Sequence, residues 1–165
     1  AEILPIAHPS AETGPPQPPV VELARVTDRG IRESGMLDMK QLVLEKDKSV
    51  IGVFCDNAVT DHDGNLFDAC SYASTAAINA CKIPKYEMQD EKPVKIEGEF
   101  TEPPITTLPV SVTMAKIGDF IVVDPTIEEW GIMDARITIT SNSDGNVVAL
   151  QKGGSDGFSQ EELVP

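Results

Sequence analysis

The sequence predicts an α+β domain, and three observations predict it. An amphipathic helical pattern opens at Pro19, a run of small residues fills 65–82, and two hairpin patterns follow over 106–123 and 134–152. A buried helix set among strands and hairpins gives the α+β class.

Residues 1–19 hold six prolines, so this stretch is expected to be an extended strand end and linker, with the domain proper over 20–163. Pro19 suits a helix start and Gly35 a helix stop. Between them Leu23, Ala24, Val26, Thr27, Gly30 and Ile31 share one arc, while Arg25, Arg29 and Arg32 fall within about 60° of one another on a second arc. Residues 41–45 and 49–60 read as two strands, the second too apolar for an exposed edge. Asp61-His62-Asp63-Gly64 is a turn, and the small-residue run after it is expected to be a closely packed, largely buried helix. The charged, proline-bearing stretch 84–104 reads as a solvated loop or excursion. Alternation at Leu108, Val110, Val112 and Met114 leads through Gly118-Asp119 into Phe120–Val123 as a hairpin. A turn and short helix over 124–130 precede a second hairpin around Ser143-Asp144-Gly145, and Ser159–Glu162 opens a further helix. The proline-rich start without Met and that opening helix lead us to expect a domain incomplete at both ends.

Charge and composition exclude several function classes. Asp plus Glu number 27 against 13 Lys plus Arg, a net charge of −14, so the whole surface does not wrap nucleic acid. A local basic stripe remains possible. Cys55, Cys70 and Cys81 form no C-x-x-C pair and sit in apolar runs, where they are expected to be buried. The two histidines, and the lack of a Walker loop or G-x-G-x-x-G, argue against metal and nucleotide cofactors, so none is expected. Asp61, Asp63 and Asp68 lack the spacing of a calcium loop. No apolar stretch reaches the roughly 18–20 residues of a membrane span, and the expectation is a soluble, cytoplasmic protein with no membrane partner.

Four segments carry a family resemblance: Glu22–Ser34, Asp61–Ala69, Val122–Pro125 and Met133–Thr138. In this order they resemble the RNase PH-type ring subunits of the archaeal exosome, and specifically the non-catalytic kind. The resemblance implies a fold of the ribosomal protein S5 domain 2 type. It implies a hetero-hexameric ring, a trimer of heterodimers, with a catalytic sister subunit, RNA-binding cap subunits and single-stranded RNA as partners. In the active subunits a Gly-Ser-Arg turn holds phosphate, and here Gly64-Asn65-Leu66 stands in its place. Of two aspartates that the active kind carries, only Asp124 has a counterpart, since Gly118 stands at the other position and Asp119 is one place out of register. The phosphate site is therefore expected to be degenerate, Asp124 a remnant carboxylate, and no residue catalytic.

The remaining candidates are Arg25, Arg29 and Arg32, whose helix the resemblance places beside the RNA path. Three guanidinium forks suit bidentate phosphate recognition. Glu22, Asp28 and Glu33 lie close enough to make the same stripe a solvated, internally paired face. Arg25 and Arg29 are favoured over Arg32. The function expected is RNA guidance and shaping of the sister's active site in a 3′-to-5′ RNA-degrading complex. An active phosphate-dependent exoribonuclease and a pure ring scaffold are the alternatives.

Overall fold

The computed structural model describes residues 1–89 and 92–163. Its centre is a four-stranded antiparallel sheet formed by β7 (Val110–Ile117), β8 (Phe120–Val123), β9 (Ala135–Ser141) and β10 (Val147–Gly154), in the order β10-β9-β7-β8. Both expected hairpins are there. Two helices pack on this sheet, α1 (Pro18–Ser34) against β10 and α2 (Leu66–Ala80) against β7, and the two helices also pack on each other. Short pieces lie around this centre: β1 (Glu2–Ile3), β2 (Val43–Glu45), β3 (Ser49–Val50), β4 (Ala58–Val59), α3 (Ile127–Ile132) and α4 (Gln160–Leu163). No described helix is long and apolar enough to cross a membrane.

The local chemistry accounts for these elements. Pro18 and Pro19 occupy the first helical turn of α1, where a missing N–H costs nothing, and Gly35 closes the helix in the left-handed region at φ 68°. Thr126 and Glu129 form a reciprocal capping box at the start of α3. The N-terminal arm is tied down at two points. Glu2–Ile3 pairs in parallel with Ala58–Val59, and Ala7 is buried with Leu23, Val59, Phe67 and Cys70.

Between the helices and the sheet the interior is built largely from hydroxyl groups. Asp68 is buried in the first turn of α2 and reaches across to β7. Its carboxylate accepts from the Thr113 N–H and the Thr113 hydroxyl, both at 2.8 Å, and from the Asn65 side-chain amide at 2.8 Å. The single Thr113 hydroxyl proton goes to the carboxylate, so the Thr138 hydroxyl donates to Thr113 at 2.8 Å. One register step along, Ser71, Ser111 and Thr140 continue the series at 2.9 and 2.8 Å.

Four expectations are corrected. The run 49–60 is not a buried strand: only its ends pair, and Ile51–Asn57 is irregular, with Phe54 91% exposed. An apolar strand is buried when neighbours flank it on both faces and edges, and no described strand pairs with this stretch. Cys55 is consequently exposed and Cys81 half-buried, leaving Cys70 as the buried thiol. The small-residue helix buries Phe67, Cys70, Ser71, Ser74 and Ile78 but exposes Ala69, Tyr72, Ala73, Ala76 and Ala77, because nothing described covers its outer face. The stretch 84–104 is largely a hairpin, β5 (Ile83–Gln89) with β6 (Lys92–Thr101), in which cross-strand pairs such as Lys85–Glu99 at 3.1 Å turn the dense charge into register. That expectation also covered Asp90 and Glu91, which lie outside the described residues.

The buried carboxylate yields a stability test. Asp68→Ala strands the Thr113 N–H and hydroxyl, and we expect a loss of about 2–4 kcal/mol in urea unfolding. A loss below about 0.5 kcal/mol would show that the hydroxyl series holds without its anchor.

Candidate functional site

Two places bear on function. The first is the turn before α2. Gly64 bridges to Thr126, and a Cβ there would lie 2.3 Å from the Pro125 carbonyl oxygen, so only glycine fits against the 124–126 loop. Asn65, buried at φ 37°, points its amide inward rather than capping the helix. Its Nδ2 donates to Asp68 at 2.8 Å and to Asp124 at 2.7 Å, linking the two carboxylates. Leu66 packs against the cluster of Ala7, Leu23, Val59, Phe67 and Cys70. Asp124 leaves the β7–β8 ladder in the left-handed conformation at φ 57°, with buried Pro125 behind it. Tyr72 closes one side, donating to the Ser111 carbonyl at 2.6 Å. Burial, and then the Asp68 and Asp124 charges, hold its phenol above the ordinary value.

Of the turn residues identified in the sequence, Gly64 thus meets Thr126 and Asn65 meets Asp124, as their spacing alone does not disclose, whereas Leu66 turns into the hydrophobic cluster. Asp68 joins them, whereas Asp61 and Asp63 stay exposed in the turn. The chemistry of this place is anionic. Two carboxylates share one amide, and no guanidinium or ammonium group contacts them among the described residues. A phosphate dianion entering here would meet like charge with no cation to offset it. Among the described residues no group of three His, Cys, Asp or Glu side chains is arranged to hold a metal.

The second place is the outer side of α1. There the three arginines separate into two kinds. Arg32 pairs with Asp28 at 3.5 Å and Glu33 at 3.8 Å on the surface. Arg25 and Arg29 make no ion pair with a described carboxylate, and they line an open cleft of about 510 Å³ with Pro16, Pro18, Val21 and Gln151. Glu22 also lines this cleft, yet its charge is already used. Its Oε2 accepts from Arg136 Nη2 at 2.6 Å.

Arg136, within the segment Met133–Thr138 that carries the family resemblance, organises this whole side. Lying on β9 and 6% exposed, it places its guanidinium carbon 4.4 Å from the centre of the Phe67 ring and 5.3 Å from that of Trp130. Its Nη1 has no hydrogen-bond partner among the described residues and lies among these rings. On β10, a Cβ at Gly153 would fall 2.6 Å from the Arg136 guanidinium carbon, so a side chain there would displace the guanidinium from its present seat. An arginine between Ala135 and Ile137 in an apolar strand is the signal that could have singled it out.

Comparison with known proteins fits this architecture. Residues 1–84 match the first domain of the 3′ exoribonuclease family and residues 107–164 match its second domain. The chain belongs to the 3′ exoribonuclease family. It is 46% identical over 164 residues to the exosome complex component Rrp42 of Methanopyrus kandleri, and equally so to that of Pyrococcus horikoshii. Each match covers 99% of this chain, and 61% and 60% of the two relatives. Among solved structures, a chain of the Archaeoglobus fulgidus exosome with RNA bound to the active site superposes with a TM-score of 0.87 at 42% identity, covering 98% of this chain and 61% of that one. A chain of an archaeal exosome core gives 0.77 at 41% identity, covering 88% and 56%. The chain therefore spans about three fifths of the length of the relatives it matches.

Arg136 is the residue whose loss should disturb this side most. Arg136→Met keeps the stem but leaves the partly exposed Glu22 carboxylate without its cation. We expect about 2 kcal/mol of destabilisation in urea, below the range for a fully buried pair because Glu22 is partly solvated. A variant as stable as the parent would mean that the ring contacts alone hold the side chain.

Proposed function

We propose that this polypeptide serves as a non-catalytic ring subunit of an archaeal exosome, a cytoplasmic machine that degrades and processes RNA from the 3′ end. It alternates with a catalytic RNase PH-type sister subunit in a hetero-hexameric ring, a trimer of heterodimers beneath RNA-binding cap subunits. There it shapes the sister's active site and holds single-stranded RNA. The observation that carries this reading is the Asp68–Asn65–Asp124 bridge. Phosphorolysis needs cations to hold inorganic phosphate beside the polyanionic strand, and this turn supplies carboxylates instead. The names of the relatives and the RNA in the Archaeoglobus complex support the assignment to such an assembly.

The RNA-holding role falls to Arg25 and Arg29. Their charges are free of described carboxylate partners and face a shared cleft, as a bidentate phosphodiester contact needs. Arg32, paired with Asp28 and Glu33, plays a lesser part.

The test uses full-length protein with and without the catalytic sister. Alone, it should show no phosphate-dependent shortening of a 3′-labelled RNA, and stoichiometric turnover by the isolated subunit would overturn the reading. In the assembled ring, Arg25→Glu with Arg29→Glu should weaken single-stranded RNA binding at least tenfold and flatten its dependence on salt. An unchanged affinity across the salt series would make the subunit a scaffold without RNA contact.

A further inference from the structure

Gln151 on β10 stands in the α1 cleft with both ends of its amide engaged. Its Oε1 accepts from Arg29 Nη1 at 3.1 Å, and its Nε2 donates to Glu22 Oε1 at 3.3 Å. The orientation is fixed by chemistry, since a guanidinium only donates and a carboxylate only accepts. The other Glu22 oxygen is held by Arg136, which is buried between helix and sheet. Arg29 is therefore linked through two side chains to a cation fixed in the interior. Arg25, on the same stripe, is exposed and has no such holder among the described residues.

We propose that Gln151 is a positioning residue that presets Arg29 over the cleft to receive a phosphodiester of single-stranded RNA. The inference rests on the reading of Arg29 as an RNA contact and names what makes that contact efficient. The choice of a neutral amide is the informative detail. A carboxylate at this place would orient Arg29 equally well but cancel its charge. The amide oxygen occupies one guanidinium N–H and leaves the full charge and four donors for the ligand. Binding then avoids part of the cost of immobilising a long, rotamer-rich side chain. The apolar stretch of the cleft, Pro16, Pro18 and Val21, lies where a sugar or base would rest once the phosphate is held.

The experiment measures Kd for a fluorescent oligoadenylate across a salt series. It uses the ring assembled from the full-length chain and its catalytic sister, with Gln151→Met, Arg29→Ala and the double variant. Arg29→Ala should weaken binding and reduce the salt slope by about 0.7, the loss of one phosphate contact. Gln151→Met should weaken binding about threefold to tenfold with little change in slope, because the charge remains while its order is lost. In the Arg29→Ala background, Gln151→Met should have no further effect. Additive losses would overturn the proposal and leave Arg29 as an RNA contact. So would full affinity in Gln151→Met while Arg29→Ala is weakened. Full affinity in Arg29→Ala would overturn both readings together. Gln151→Ala is run in parallel, with thermal midpoints for every ring, so that a folding defect in one variant is recognised by its disagreement with the other.

Discussion

A carboxylate buried under a helix has to be satisfied completely, and the rest of this fold is arranged around doing so for Asp68. Its oxygens take the Thr113 N–H, the Thr113 hydroxyl and the Asn65 amide. Each partner then constrains something further away. The Thr113 N–H is available because Asp124 turns out of the β7–β8 ladder into the left-handed region. The Thr113 hydroxyl orders Thr138 on the next strand. The Asn65 amide fixes the turn that joins α2 to the 124–126 loop. One ionised group in the first turn of α2, where the helix dipole also favours negative charge, thus sets the register of helix, sheet and loop together.

The same economy of pairing explains how an acidic chain keeps a cationic cleft. Counted along the sequence, α1 is electrically neutral from Glu22 to Glu33, which favours a solvated face. The fold redistributes those charges. Glu22 turns inward to Arg136, and Asp28 and Glu33 are taken by Arg32. Among the described residues no carboxylate contacts Arg25 or Arg29, whose charge is left undiminished. Neutrality of the segment and two guanidinium groups without a described carboxylate partner are compatible because a residue from β9, more than a hundred positions away, supplies the missing partner for Glu22.

What could be read in the sequence follows from which signals are local. The caps of α1, the alternation of β7 and the turns at Gly118 and Gly145 depend on neighbouring residues, and the elements they mark stand as expected. The segments that carry the family resemblance lie in the order the family has them, and the fold agrees. Burial is not local. The apolar run at 49–60 and the outer face of α2 have the composition of interior elements, but composition cannot say whether a neighbour lies over them. Cys55 is exposed for the same reason. The stretch 84–104 misled in the opposite direction, because opposite charges spaced to meet across two strands look like solvation when read along one. At the site, the candidates were legible as residue types, whereas the pairings that distinguish Arg32 from Arg25 and Arg29 were not. Gln151 carried no signal at all, since a glutamine in an exposed-reading strand becomes informative only when Arg29 and Glu22 are found on either side of it.

The two places on this chain form opposed treatments of phosphate built from the same materials. At the turn before α2, an amide lies between two carboxylates, so the local field repels an anion. At the α1 cleft, an amide lies between a guanidinium and a carboxylate whose charge is already spent on Arg136, so the local field attracts one. In both, the neutral side chain sets geometry without altering charge, and the sign of the field is decided by whether a buried arginine is within reach. Among the described residues none contacts the Asn65 bridge, while Gln151 has one through Glu22. The role proposed above, holding an RNA strand without competing for the phosphate that a neighbouring active site consumes, calls for both fields at once. Their determinants lie on two helix–sheet contacts, α2 on β7 and α1 on β10, so one sheet carries both.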